Sequence, residues 1–175
     1  MAERVRRLRQ TGDVVILSIH WGPNWGFEIP EDHRRFAHEL IDKAGVSIVH
    51  GHSSHHPFAM EVYRDRLILY GCGDFLNDYE GIRGYEEFLH DLTLMYFASI
   101  DLASGNLLSL EMVPLQIRQF RLVHAPSEDT DLLMQTLDGE CRKVGTRMTR
   151  KPDRRLALSW PHDETERHVE SAVHE

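Results

Sequence analysis

Apolar residues recur along this chain in two rhythms, and the change between them divides it. Residues 2–11 read as a short helix closed by Gly12. Residues 14–19 (Val-Val-Ile-Leu-Ser-Ile) are mostly β-branched and do not alternate, which predicts a strand buried on both faces. Residues 21–26 (Trp-Gly-Pro-Asn-Trp-Gly) carry loop chemistry. Pro30 then opens a helix, with Glu31 and Asp32 in the first turn where the helix dipole favours anions. Phe36, Ala37, Leu40, Ile41 and Ala44 form its apolar stripe, Gly45 ends it, and residues 46–49 make a second buried strand. Strand, helix and strand within so short a span are a βαβ unit, so the two strands should run parallel through a right-handed crossover.

Past residue 56 the rhythm becomes that of hairpins. Residues 60–63 and 67–70 flank the polar turn Arg64-Asp65-Arg66. Residues 92–100 and 107–113 flank Ala103-Ser104-Gly105-Asn106, and Pro114 should end or bulge that pairing. Ser127 is a candidate N-cap for a helix whose core-facing residues are Leu133, Leu137 and Val144, and residues 156–160 suggest a last strand. The tail over 161–175 is acidic, lacks apolar periodicity and is expected to be disordered. No internal repeat is visible.

Composition narrows the possible functions. With 175 residues and 41% hydrophobic content the chain fits one domain with a real core, over 1–160. A formal net charge of -8 argues against a duplex-wide nucleic-acid surface. Arg4, Arg6, Arg7 and Arg9, beside Glu3, read as a solvated helix face. Two cysteines, Cys72 and Cys141, make no disulfide framework and read as small buried hydrophobes. No apolar run approaches the ~20 residues of a membrane span, so the sequence as it stands reads as soluble. An upstream segment of a longer parent protein could still carry a signal or anchor.

The candidate chemistry lies in the histidines. Seven of 12 fall between positions 20 and 56. His33 and His38 lie off the apolar stripe of their helix and read as surface residues, while His50 closes a strand and is held in reserve. His20, His52 and His55 each follow an aliphatic strand in glycine-containing sequence, at the carboxyl edge where open α/β sheets hold ligands. Imidazoles there suit a divalent metal ion: zinc, manganese or iron. A Ser-His nucleophile is the chemical rival, but no G-x-S-x-G elbow surrounds Ser53 or Ser54.

Several motifs in order carry a resemblance. Ser18-Ile19-His20-Trp21-Gly22, Gly51-His52-Ser53-Ser54-His55, Glu61, and Leu69-Tyr70-Gly71-Cys72-Gly73-Asp74-Phe75 resemble the later motifs of the CapA family of capsule and poly-gamma-glutamate biosynthesis. That family is similar to the calcineurin-like metallophosphatases. The resemblance implies an α/β fold, part of a two-sheet sandwich with outer helices whose N-terminal half is missing. It implies His20, His52 and His55 as metal ligands, with Trp21, Gly51, Glu61 and Asp74 near the site. Asp74 stands where relatives have asparagine, and two residues separate the paired histidines where phosphatases have one. The superfamily's earlier motifs, which supply a metal-bridging aspartate, have no room before His20, and Glu61, Asp74 and Asp78 are the local carboxylates. The implied function is a metal-dependent hydrolase in extracellular polymer biosynthesis, complete only with its N-terminal half or through self-association. The implied partners are capsule or polymer assembly proteins, and the parent's setting is the cell envelope. A non-catalytic polymer-binding or assembly subunit, or an inactive truncated fragment, are the other readings.

Overall fold

The computed structural model describes residues 2–10, 12–77 and 82–161. The chain order is α1 (Ala2–Leu8), β1 (Ile16–His20), α2 (Glu31–Ala44), β2 (Ile48–His52), β3 (Met60–Tyr63), β4 (Arg66–Leu69), a 3-10 turn (Glu86–Phe88), β5 (Leu92–Ile100), β6 (Leu107–Arg118), β7 (Arg121–His124), α3 (Ser127–Lys143), β8 (Arg147–Arg150) and β9 (Leu156–Ser159).

The βαβ unit is present as the pattern predicts. β1 and β2 pair in parallel, from Ile16 opposite Ile48 to His20 opposite His52. β4 adds parallel to β2, and β3 closes the sheet antiparallel, in the order β1-β2-β4-β3. α2 ends at Gly45, whose φ of 68° is left-handed and whose N–H reaches Ile41 O at 3.0 Å. Its buried face, Ala37, Leu40, Ile41 and Ala44, packs with Val46, Val49, Ile68 and Tyr70 on one side of this sheet. The other side, through Ile48, Met60, Leu67 and Leu69, meets the second sheet at Leu92, Leu94, Leu110, Met112 and Leu156, with Leu133 and Leu137 of α3 joining the same core. The second sheet runs β5-β6-β9-β8, and β7 also pairs with β6. The molecule is therefore the anticipated α/β protein with two stacked sheets and outer helices.

Four local expectations are corrected. β1 is not buried on both faces: it is the edge strand of its sheet, and no residue of it joins the inter-sheet core. Leu17 and Ile19 tuck against the α2 side, while Ile16 on the opposite face is 61% exposed. β2 runs through His52 rather than stopping at residue 49. Pro114 neither ends nor bulges β6. It stays paired with Leu94, and its carbonyl accepts from Ala125 N at 3.2 Å, so its missing N–H would have faced the gap where β9 has stopped and β7 has yet to begin. Ser127 is the first residue of α3 rather than its cap, and its hydroxyl accepts from Arg150 Nη2 at 2.9 Å. The acidic tail from residue 162 and Asp78 lie outside the described residues.

Candidate functional site

Parallel register brings the histidines of two strands to one edge. His20 and His52 are lateral neighbours with ring centroids 5.2 Å apart. By the alternation of a strand, Ser18, His20, His50 and His52 share the face that looks toward the second sheet. His50 lies 5.8 Å from His52 and shares a hydrogen bond with the Ser18 hydroxyl at 3.1 Å. Burial, and then the neighbouring His52, lower the pKa of His50.

His55 sits in the loop after β2 and faces a different neighbourhood. Its Nδ1–H donates to Asp74 Oδ2 at 2.8 Å, and its ring lies 5.0 Å from Trp25. An imidazole N–H given to a carboxylate fixes the tautomer that leaves Nε2 as the lone-pair nitrogen, the arrangement common around metal-ligating histidines. Two loops are pinned together here. Trp21 N donates to His52 O at 2.9 Å, His55 N to Asn24 O at 3.1 Å, and the Ser53 hydroxyl to Gly22 O at 3.1 Å. Ser53 is held at φ 139°, a conformation L-residues rarely adopt, directly between His52 and His55.

Whether these side chains suit a cation turns on donor number. His20 and His52 offer two imidazole nitrogens from one strand edge, which is half of a tetrahedral shell. Among the described residues, no three His, Cys, Asp or Glu side chains gather closely enough to enclose one ion. The fit is therefore partial: a two-histidine half-site, with the His55–Asp74 pair beside it.

The neighbours are scaffold. Trp21 lies between His33 (5.0 Å, 4° between planes) and Tyr70 (5.9 Å, 13°), and its indole N–H donates to Tyr70 O at 2.9 Å. It braces the strand ends from the α2 side. Gly51 is required by this contact, because a Cβ there would stand 2.4 Å from the indole nitrogen and 2.5 Å from Tyr70 O. Glu61, 3% exposed, accepts from the Tyr70 hydroxyl (2.6 Å), His38 Nε2 (3.0 Å) and Arg34 Nη2 (3.2 Å). Burial and the Glu61 hydrogen bond push the Tyr70 phenol up, so it remains a donor.

His33 and His38 are thus working parts of the packing and not surface residues. The readable signal was the spacing of Arg34 and His38, four apart on one helix flank, opposite a glutamate in an otherwise apolar strand. His56 was overlooked too. It is fully buried among Phe27, Phe58 and Phe88, with centroids 4.7, 4.8 and 5.0 Å away, and burial pushes its pKa down to about 4 against carbonyl contacts from Pro57 and Gly26.

Residues 1–79, which contain every position from His20 to Asp74 discussed above, match the family model described as bacterial capsule synthesis protein PGA_cap. A probable polyglutamine synthesis accessory protein of Mycobacterium tuberculosis (strain H37Rv) is 47% identical over 158 residues, covering 90% of this chain and 41% of that protein. The PGA biosynthesis protein CapA of Bacillus subtilis (strain 168) is 24% identical over 160 residues, 91% of this chain and 39% of the relative. The capsule biosynthesis protein CapA of Bacillus anthracis is 26% identical over 107 residues, 61% and 24% of the two chains. The chain thus spans about two-fifths of the length of the first of these relatives. The ordered histidine motifs, the family match over residues 1–79 and these relatives together make the chain similar to the CapA proteins of bacterial capsule and poly-gamma-glutamate biosynthesis.

Proposed function

We propose that this chain is the C-terminal part of a CapA-type protein that acts in synthesis of an extracellular anionic polymer, and that His20 and His52 contribute to a divalent-metal centre completed by the rest of the protein. The observation that carries this reading is the register of β1 and β2, which sets two imidazoles side by side at the carboxyl ends of parallel strands. A bound metal would supply Lewis acidity and a hydroxide nucleophile for hydrolysis, with bridging carboxylates from outside this half-site. The chain's own part is to hold two ligands and to set the His55 tautomer through Asp74. Metal uptake by the full-length protein tests it: His20→Ala with His52→Ala should lower bound zinc or manganese by at least one equivalent per chain, measured by atomic emission. Unchanged stoichiometry in the double variant would exclude these histidines as ligands.

A second reading, a non-catalytic assembly subunit, is favoured by the incomplete ligand set among the described residues and by the accessory role in the name of the Mycobacterium tuberculosis relative. It predicts that the same double variant still supports polymer synthesis in cells.

A further inference from the structure

Beside the histidine loops lies a cavity of about 480 Å³ whose lining includes neither His20 nor His52. Asp74 forms its near wall, and the β6–β7 hairpin its far wall through Gln116 and Arg118. Arg83, Glu86, His90 and Asp91 complete the lining that matters here. The carboxylates of this cavity already have internal donors. Asp74 takes the His55 N–H at 2.8 Å, Asp91 takes the Gln116 amide at 2.9 Å, and both Glu86 oxygens take Gly84 N–H at 3.1 Å. The two guanidiniums do not share in this. Among the described residues, neither Arg83 nor Arg118 has an ion pair or hydrogen bond from its side chain.

The hairpin adds a second, independent observation. Arg118 and Arg121 are directly opposite in the β6–β7 ladder, flanking a two-residue turn in which Gln119 and Phe120 have φ of 53° and 55°. Like charges facing each other across a ladder are destabilising, and Arg121 also lacks a carboxylate partner among the described residues. The hairpin therefore sets Arg118 on the wall of the cavity, with Arg121 opposite it in the ladder, while the cavity's carboxylates are each hydrogen-bonded within the protein.

We infer that this cavity is an anion-binding subsite, in which Arg83 and Arg118 hold a carboxylate or phosphate group. Guanidinium forks bind either oxyanion through paired N–H donors. The cavity volume admits a small anion or one charged unit of a longer chain. The subsite stands independently of the metal reading, because it uses neither His20 nor His52.

The test is titration of the 175-residue chain with inorganic phosphate and, separately, with glutarate, followed by the backbone amide shifts of residues 116–118. Saturable shifts are expected with at least one anion, weakening as salt is raised. Arg83→Ala with Arg118→Ala should weaken binding at least tenfold, whereas Arg118→Lys should retain a weaker site because ammonium lacks the fork. His20→Ala with His52→Ala should leave the affinity unchanged, which separates this subsite from the metal centre. Tighter phosphate binding would identify a phosphoryl group as the natural occupant, and tighter glutarate binding a carboxylate. Both arginines are exposed, so the variants should fold; if the double variant loses its circular dichroism, the single Arg118→Gln variant gives the same comparison. An unchanged affinity in the arginine variants, or no saturable shift with either anion, would overturn the assignment.

Discussion

At the scale of single residues, chemistry separates histidines that share a neighbourhood in sequence. His55 and His56 are adjacent, yet one gives its N–H to a half-exposed carboxylate and the other lies in an aromatic cage. Protonating His56 would place a charge among three phenyl rings. With a folded pKa of about 4 against an ordinary 6.5, its neutral form contributes stability that is complete above about pH 6.5 and is lost as pH falls toward 4. The amount is roughly 3 kcal/mol. Urea denaturation across pH 4–7 should show this acid limb, and His56→Phe, which fills the same cage, should flatten it; a limb that persists in that variant would assign the sensitivity elsewhere. Gly51 is the other residue with one solution. Gly51→Ala should displace Trp21 from Tyr70 O, read as a change in tryptophan emission together with lower stability. The side-by-side placement of His20 and His52 was legible because each histidine ends an aliphatic strand of a βαβ unit, whereas the packing role of Gly51 was not. Nor was that of His56, because its three phenylalanines come from separate segments that only the fold assembles.

At the scale of elements, the βαβ unit was read correctly because its signals agree: a β-branched run, an amphipathic helix with an acidic first turn, and a closing glycine. What the pattern misjudged was position within the sheet. An unalternating apolar run looks alike in a central strand and at an edge, so the exposure of Ile16 could not be read from it. Pro114 was misjudged for a related reason, since a proline is tolerated wherever the partner strand is interrupted. Glu61 is the fastener between α2 and the sheet, linking Arg34 and His38 of the helix to Tyr70 after β4. Glu61→Leu should cost about 2–3 kcal/mol, less than a fully buried ion pair because Arg34 reaches solvent. Chemical denaturation measures it, and a loss below about 0.5 kcal/mol would show that α2 is held by its apolar face alone.

At the scale of the whole molecule, the two sheets overlap only in part. The inner face is covered at β4, β3 and the start of β2, but over β1 it carries the exposed Ile16 and His20, and at the end of β2 the half-exposed His50 and His52. β1 also ends its sheet with no further strand paired to it among the described residues. Free strand edges with apolar neighbours drive association. The 175-residue chain is therefore expected to self-associate in sedimentation experiments and to bind a hydrophobic dye, with Ile16→Lys reducing both. The full-length protein should do neither. A chain that stays monomeric and dye-silent at high concentration would remove the expectation that other parts of the protein cover β1.

The tips of two hairpins from different sheets are fastened to one another. Leu107 N donates to Asp65 O at 2.7 Å, and Arg66 crosses to Asn106 and to Ser104 O. A load pulling the sheets apart would thus meet these three bonds together, in shear, before it reached the apolar layer. The amide of Leu107 should consequently be among the slowest in the molecule to exchange with deuterium, opening only when both sheets open together.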